Sequence, residues 1–213
     1  MKYREILLEQ LKNQPYFTKK AIYQLSEQYG LKKTTVDTYI SRSLKRKDII
    51  PLKRGLYVSA DFYNKNKNDT SYSFYLANII RTPSFVSSWT ALQYYNLVTE
   101  SIHTITSTTP KVTRTYETKA GNFVYQSIQK ELFSNFSTVK GKFDFFIASP
   151  SKALFDLLYF KTRQFHGVSI ENIKSLVEEL RIDIDEISQA EQKNFYSMIK
   201  NYLHYGQSDT RKS

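Results

Sequence analysis

Apolar positions in the first sixty residues follow helical spacing and then change to alternation. Ile6, Leu7 and Leu11 mark a first helix. Ile22, Leu25 and Tyr29 share one face of a second, over about residues 19–29. Val36, Ile40 and Leu44 recur every fourth residue in a third, over about 33–47. Thr18 precedes the second helix, where its hydroxyl can accept from the free amides of the first turn. Gly30-Leu31 follows it as a turn, because glycine enters the left-handed helix stop without steric cost. Residues 49–52 and 56–58 are short apolar runs on either side of Lys53-Arg54-Gly55, which predicts a hairpin with a basic tip.

On the third helix the polar positions carry as much information as the apolar ones. At roughly 100° per residue, Thr34, Thr35, Thr38, Arg42 and Lys45 point away from the apolar stripe. That outer face is expected to hold hydroxyls and cations with no carboxylate. Asp37 is expected on the flank, nearer the buried stripe. Lys32 and Lys33 stand at the helix start, where the free amides favour anions. Three helices and a hairpin in this order predict a winged helix-turn-helix over residues 1–63, with a helix sized for the DNA major groove. Lys53 and Arg54 would form the wing and reach phosphates. A three-helix packing module with an ordinary solvated face is the alternative.

Residues 64–70 are polar and carry no apolar anchor, so they are expected as a linker or exposed loop. Beyond it, 72–80 reads as a helix ending before Pro83. Ser87 or Ser88 can cap another helix through Trp89, Leu92 and Tyr95. Segments 102–107, 112–116, 122–128 and 143–148 are rich in β-branched and aromatic residues, as strands are. Ser149-Pro150 opens a helix with Ser as cap and Pro at the first position. Ala153, Leu154, Leu157 and Leu158 are its buried stripe. Residues 169–205 read as two amphipathic helices. The expected fold is therefore α+β: a winged helix-turn-helix, then a mixed α/β domain over 71–213 with a helical tail.

Charge sharpens the picture. The chain carries +11 at pH 7 with a pI near 9.5. Residues 1–70 account for +8 of this and the remaining residues for +3. Cations set against phosphates release counterions, which gives affinity before any base is read. Cysteine is absent, which excludes disulfides and thiolate metal sites. No 18-residue apolar run and no signal-like apolar segment after Met1 occurs, so a cytoplasmic protein without a membrane partner is expected.

Three segments resemble a known family. Tyr16-Phe17-Thr18 before a helix, with Leu52-Lys53-Arg54-Gly55-Leu56-Tyr57-Val58 at the hairpin, resembles the N-terminal domain of AbiEi-type antitoxins from AbiE abortive-infection toxin–antitoxin systems. Phe85-Val86-Ser87 through Ala91-Leu92 to Asn96-Leu97 resembles the family's S…ALxxxGL segment, with Asn96 in the place of glycine. Asparagine tolerates a left-handed helix end, so this departure is mild. Ala148-Ser149-Pro150-Ser151-Lys152-Ala153-Leu154-Phe155-Asp156-Leu157-Leu158 resembles its sPekAlxDLL helix. The resemblance covers roughly residues 1–165. It implies a repressor that binds inverted repeats in its own promoter as double-stranded DNA. It also implies an antitoxin, acting through its C-terminal domain, against a nucleotidyltransferase-like toxin that it need not bind in a stable complex.

Enzyme chemistry finds little support in the sequence. The six glycines, at 30, 55, 121, 141, 167 and 206, are too scattered for a GxGxxG or P-loop turn. His103, His166 and His204 are far apart in sequence and none lies in an HExxH spacing, and no cofactor is expected. Asp183 and Asp185 resemble a metal-binding DxD, but they sit in an acidic run with Glu178, Glu179 and Glu186 that reads as a solvated helix face. Asp156 can cap, pair with Lys152 or Arg163, or contact a partner. The expected function is a non-enzymatic antitoxin that represses its own operon. The alternative is a winged-helix regulator whose aromatic-rich second half binds a small molecule.

Overall fold

The computed structural model describes residues 3–100 and 102–209, without side chains for 204–209. His204 and the ends of the 1–63 and 71–213 ranges therefore lie outside the described residues or side chains. The fold is mixed α+β, with nine α-helices and sheets of three and six strands among the described residues.

The first part runs α1 (Tyr3–Leu11), β1 (Phe17–Thr18), α2 (Lys19–Glu27), α3 (Lys33–Arg46), β2 (Ile49–Lys53) and β3 (Leu56–Ser59). Thr18 caps α2 by accepting from the Ala21 amide at 3.0 Å. Gly30 takes the left-handed conformation, φ 63°, and the Leu31 amide returns to the Ser26 carbonyl. The three strands form an antiparallel sheet in the order β1-β3-β2.

The hairpin β2–β3 is buried on both faces. Its side chains alternate, as a strand requires. Ile49 and Tyr57 join Leu11, Phe17, Ile22, Val36 and Ile40 in a core beneath the first three helices. Ile50, Leu52, Leu56 and Val58 turn the other way, into the larger core that holds Tyr72, Phe123 and Tyr125.

Residues 64–70 are not the expected loop. Helix α4 (Ala60–Asn66) continues through the first of them, and Asp69 caps α5 (Thr70–Ile80) by accepting from the Ser71 amide. Asn66 is buried, donates to the Phe62 carbonyl and accepts from Lys142 Nζ at 2.6 Å. A polar side chain with both groups satisfied replaces the apolar anchor that the run lacks.

The second sheet has the order β6-β7-β5-β4-β9-β8. Its strands are β4 (Phe85–Val86), β5 (Thr104–Thr109), β6 (Arg114–Thr118), β7 (Gly121–Ser127), β8 (Phe136–Val139) and β9 (Phe145–Ala148). β5 and β7 are parallel, as are β4 and β9, and the other neighbours are antiparallel. Helix α5 covers one face, where Tyr125 donates to the Ala77 carbonyl and Asn78 accepts from the Phe146 amide. Helices α6 (Ser88–Tyr94) and α7 (Pro150–Lys161) cover the other. Asn96 ends α6 in the left-handed conformation, φ 58°. Ser149 caps α7, with Pro150 at its start. The tail forms α8 (Ile170–Glu179) and α9 (Gln189–Asp209), and α9 packs on α7.

Candidate nucleic-acid interface

Helix α3 is held by its buried Val36, Ile40 and Ser43 against the first core. Its opposite side is therefore open. Lys32, Lys33, Thr34, Thr38, Arg42 and Lys45 are exposed, and Thr35 is half-buried. Thr34, Thr38, Arg42 and Lys45 are spaced by four, four and three residues, so they stand along one face. The Thr38 hydroxyl donates to the Thr34 carbonyl at 3.1 Å and keeps its acceptor lone pairs for other donors. Lys32 occupies the position before the helix with no side-chain cap, so the first amides of α3 have no side-chain acceptor there.

A carboxylate stands closer to this face than the sequence suggests. Asp37 is exposed rather than turned to the buried stripe. Its Oδ1 takes the Lys19 ammonium at 2.8 Å and the Tyr23 hydroxyl at 2.6 Å. Lys19 and Lys33 both lie over the Tyr23 ring, 5.3 and 5.7 Å from its centre. The hydrogen bonds from Lys19 and then Tyr23 hold the Asp37 carboxyl below its ordinary value. The same contact raises Lys19. Asp37 thus stays ionised but locally neutralised. The spacing of Lys19 and Tyr23, four residues apart on α2, was the available signal for this cluster.

The two cations of the hairpin tip differ. Arg54 is exposed. Lys53, expected to reach phosphate, is half-buried and donates to the Ile80 carbonyl at 2.6 Å. It fastens β2 to the end of α5. Gly55, directly after them, has φ 76°, and a Cβ there would lie 3.8 Å from that of Lys19, so the turn demands glycine for its backbone angle rather than for space. Nearby, burial pushes the Tyr116 phenol up, but hydrogen bonds with Arg114 and Arg81 and the charge of Lys53 outweigh it and lower the value.

The second half contains a buried charged centre. Lys152 and Asp156, one turn apart on α7, are 1% and 0% exposed. Lys152 Nζ donates to Asp156 Oδ1 at 2.5 Å, while Ser87 and Thr108 donate to Oδ2 at 2.7 and 3.0 Å. Burial pushes the Asp156 carboxyl up, and the Lys152 charge and the hydroxyl donors pull against it. Of the alternatives open for Asp156, pairing with Lys152 is the one observed. Ser87 precedes α6 but spends its hydroxyl on Asp156 instead of capping. This centre ties α6, β5 and α7 together.

Asp183 and Asp185 are exposed, Asp183 before and Asp185 within a single 3-10 turn, Ile184–Glu186, not on an α-helix face. No group of three or more His, Asp or Glu side chains placed to hold a metal occurs among the described residues. Nor is any helix among them long and apolar enough to cross a membrane.

The chain matches no protein-family model and no curated protein.

Proposed function

We propose that this protein is a cytoplasmic DNA-binding autorepressor that doubles as the antitoxin of a phage-defence toxin–antitoxin system. In this reading residues 3–59 are a winged helix-turn-helix and α3 enters the major groove. The observation that supports it best is the order helix–strand–helix–helix–strand–strand, closed by the antiparallel sheet β1-β3-β2 beneath an exposed cationic α3. Thr34, Thr35, Thr38, Arg42 and Lys45 face the bases. Lys32, Lys33 and Arg54 contact phosphates. Lys53 positions the hairpin through Ile80.

The second half acts in this reading without chemistry of its own, by contact with the toxin or with the nucleic acid that the toxin modifies. Its support is the resemblance of the Phe85–Leu97 and Ala148–Leu158 segments to AbiEi-type antitoxins, together with a buried Asp156 that serves packing.

Two measurements test the reading. Anisotropy titrations of the full chain on its own promoter should show operator preference and affinity that falls steeply with salt. Arg42→Ala should reduce that preference by roughly 1–3 kcal/mol if it pairs with guanine. Salt-independent binding, or no binding, would sink the DNA assignment. Co-expression with the product of a neighbouring nucleotidyltransferase-like gene tests the antitoxin role. Survivors should appear with the full chain and equally with the Asp183→Asn/Asp185→Asn double variant. Absence of rescue by the full chain refutes the antitoxin role, and loss of rescue in the folded double variant refutes a role without chemistry.

A further inference from the structure

A groove of about 1000 Å³ opens over α7, between residues 129–135, the turn 164–169 and α9. Its volume is at the upper end of the range that holds small organic ligands. The floor and one wall are aromatic. Phe155, Phe165 and Tyr202 form a corner with ring centres 5.4 to 6.2 Å apart. Four carboxamides, Gln129, Asn135, Gln164 and Asn201, also line the groove and carry donors and acceptors, with one Asn135 donor turned to Met198 Sδ at 3.2 Å.

Lys152 lines the groove from below. Its side chain is 1% exposed and donates to Asp156. An ammonium has three donors. The others are met by ring faces, with Phe155 and Phe85 centred 5.1 and 5.9 Å away, rather than by an acceptor. This ammonium, 1% exposed, lies beneath the aromatic floor with donors that meet no acceptor among the described residues.

The backbone is shaped around the same place. Arg163, Gln164 and Phe165 are three consecutive non-glycine residues in the left-handed region, with φ of 50°, 67° and 58°. Asn135, on the opposite rim, has φ 58°. Such conformations are costly for L-residues and cluster at ligand clamps. Here the bend is held by the Gln164 amide to the Tyr159 carbonyl and the Phe165 amide to the Thr162 hydroxyl, and it turns Phe165 into the floor.

We propose that this groove binds a neutral, flat heteroaromatic ligand of the nucleoside class. The ring stacks in the corner of Phe155, Phe165 and Tyr202. A ring carbonyl oxygen accepts from Lys152. The carboxamides pair with the heterocycle edge, which carries donors and acceptors side by side as they do. Phosphate is disfavoured, because the Lys152 charge is matched by Asp156 and Glu131 lines the groove.

Isothermal titration of the full chain with uridine, cytidine, adenosine and guanosine, and with their 5′-monophosphates, tests this without any DNA. At least one nucleoside should bind with Kd below about 1 mM, and its monophosphate no more tightly. Gln164 and Asn201 are exposed, so Gln164→Ala and Asn201→Ala should fold and weaken binding by about tenfold each. Asn194→Ala, on α9 but not lining the groove, should leave it unchanged. Absence of binding by all four nucleosides overturns the proposal. So does binding that both groove variants leave intact, or a monophosphate that binds more tightly.

Discussion

The Lys53 ammonium meets the main-chain oxygen of Ile80 at 2.6 Å, joining the hairpin tip to the last turn of α5. A cation that would otherwise be read as a phosphate contact is spent on holding two parts of the molecule together. Its neighbour Arg54 is exposed and makes no such tie among the described residues.

The two residues should therefore separate experimentally. Lys53→Ala should lower stability by about 1–2 kcal/mol, since it removes a charge-assisted bond to a half-buried carbonyl. Arg54→Ala should leave the melting temperature unchanged and reduce the slope of log affinity against log salt by about one. Urea titrations and anisotropy measure the two effects. The reverse assignment would show Lys53→Ala weakening DNA binding at full stability.

The hairpin should prove sensitive from both sides. Leu52 is 1% exposed and belongs to the large core, although it lies within the proposed DNA-binding part. Leu52→Ala should cost about 2–5 kcal/mol, as buried leucine truncations do. A fragment of residues 1–68 would expose Ile50, Leu52, Leu56 and Val58 together. It should melt below the full chain, and its DNA affinity should fall with its folded fraction. A fragment as stable as the full chain by circular dichroism would contradict this.

Acid should destabilise the protein through aspartates held below their ordinary value. Asp37 is lowered by Lys19, Asp69 by the Ser71 hydroxyl, and Asp144 by Lys140 and the Gly141 amide. An unfolded aspartate titrates near about 3.9. Between that value and the depressed folded values the unfolded chain binds more protons. Stability from these groups is thus complete above the unfolded value and lost as pH falls through the folded ones. Asp69→Asn retains a capping side chain but cannot titrate. Its urea midpoint should depend less on pH than that of the wild type over about pH 3 to 5.

The buried pair should be costly to break and cheap to replace. Lys152→Met or Asp156→Leu alone leaves an uncompensated charge in the core and should cost about 3–5 kcal/mol. The double variant should recover much of that loss, because neither charge then needs a partner. A double-mutant cycle in urea measures the coupling, and additive losses would show that the two residues do not stabilise each other.

Much of the local structure was legible in the residues. Thr18 caps α2 and Gly30 stops it because a hydroxyl and a missing Cβ act within a few residues of themselves. The Val36 and Ile40 stripe seats α3, and its exposed threonines and cations follow from helical geometry alone. Ser149-Pro150 starts α7 where the sequence places it. Asn96 takes the left-handed helix end that asparagine tolerates, at the position where the resembled family has glycine. Each of these depends on contacts of short sequence separation.

What the residues alone determined, then, was the mixed α+β class, the starts of α2 and α7 at Thr18 and Ser149, and a cationic outer face on α3. Tertiary structure decided the rest, because it brought distant groups together. Lys53 is 27 residues from Ile80, and no local rule reveals that partner. Lys142 reaches Asn66 across 76 residues and turns an apparent linker into a packed helix end. Strands β4 and β8 are too short for periodicity to expose, and they exist because β5 and β9 supply their hydrogen bonds. Asp156 acquires its meaning only when Ser87 and Thr108 arrive from 69 and 48 residues away. Burial removes water as an alternative partner, so a buried polar group is defined by what the fold sets beside it.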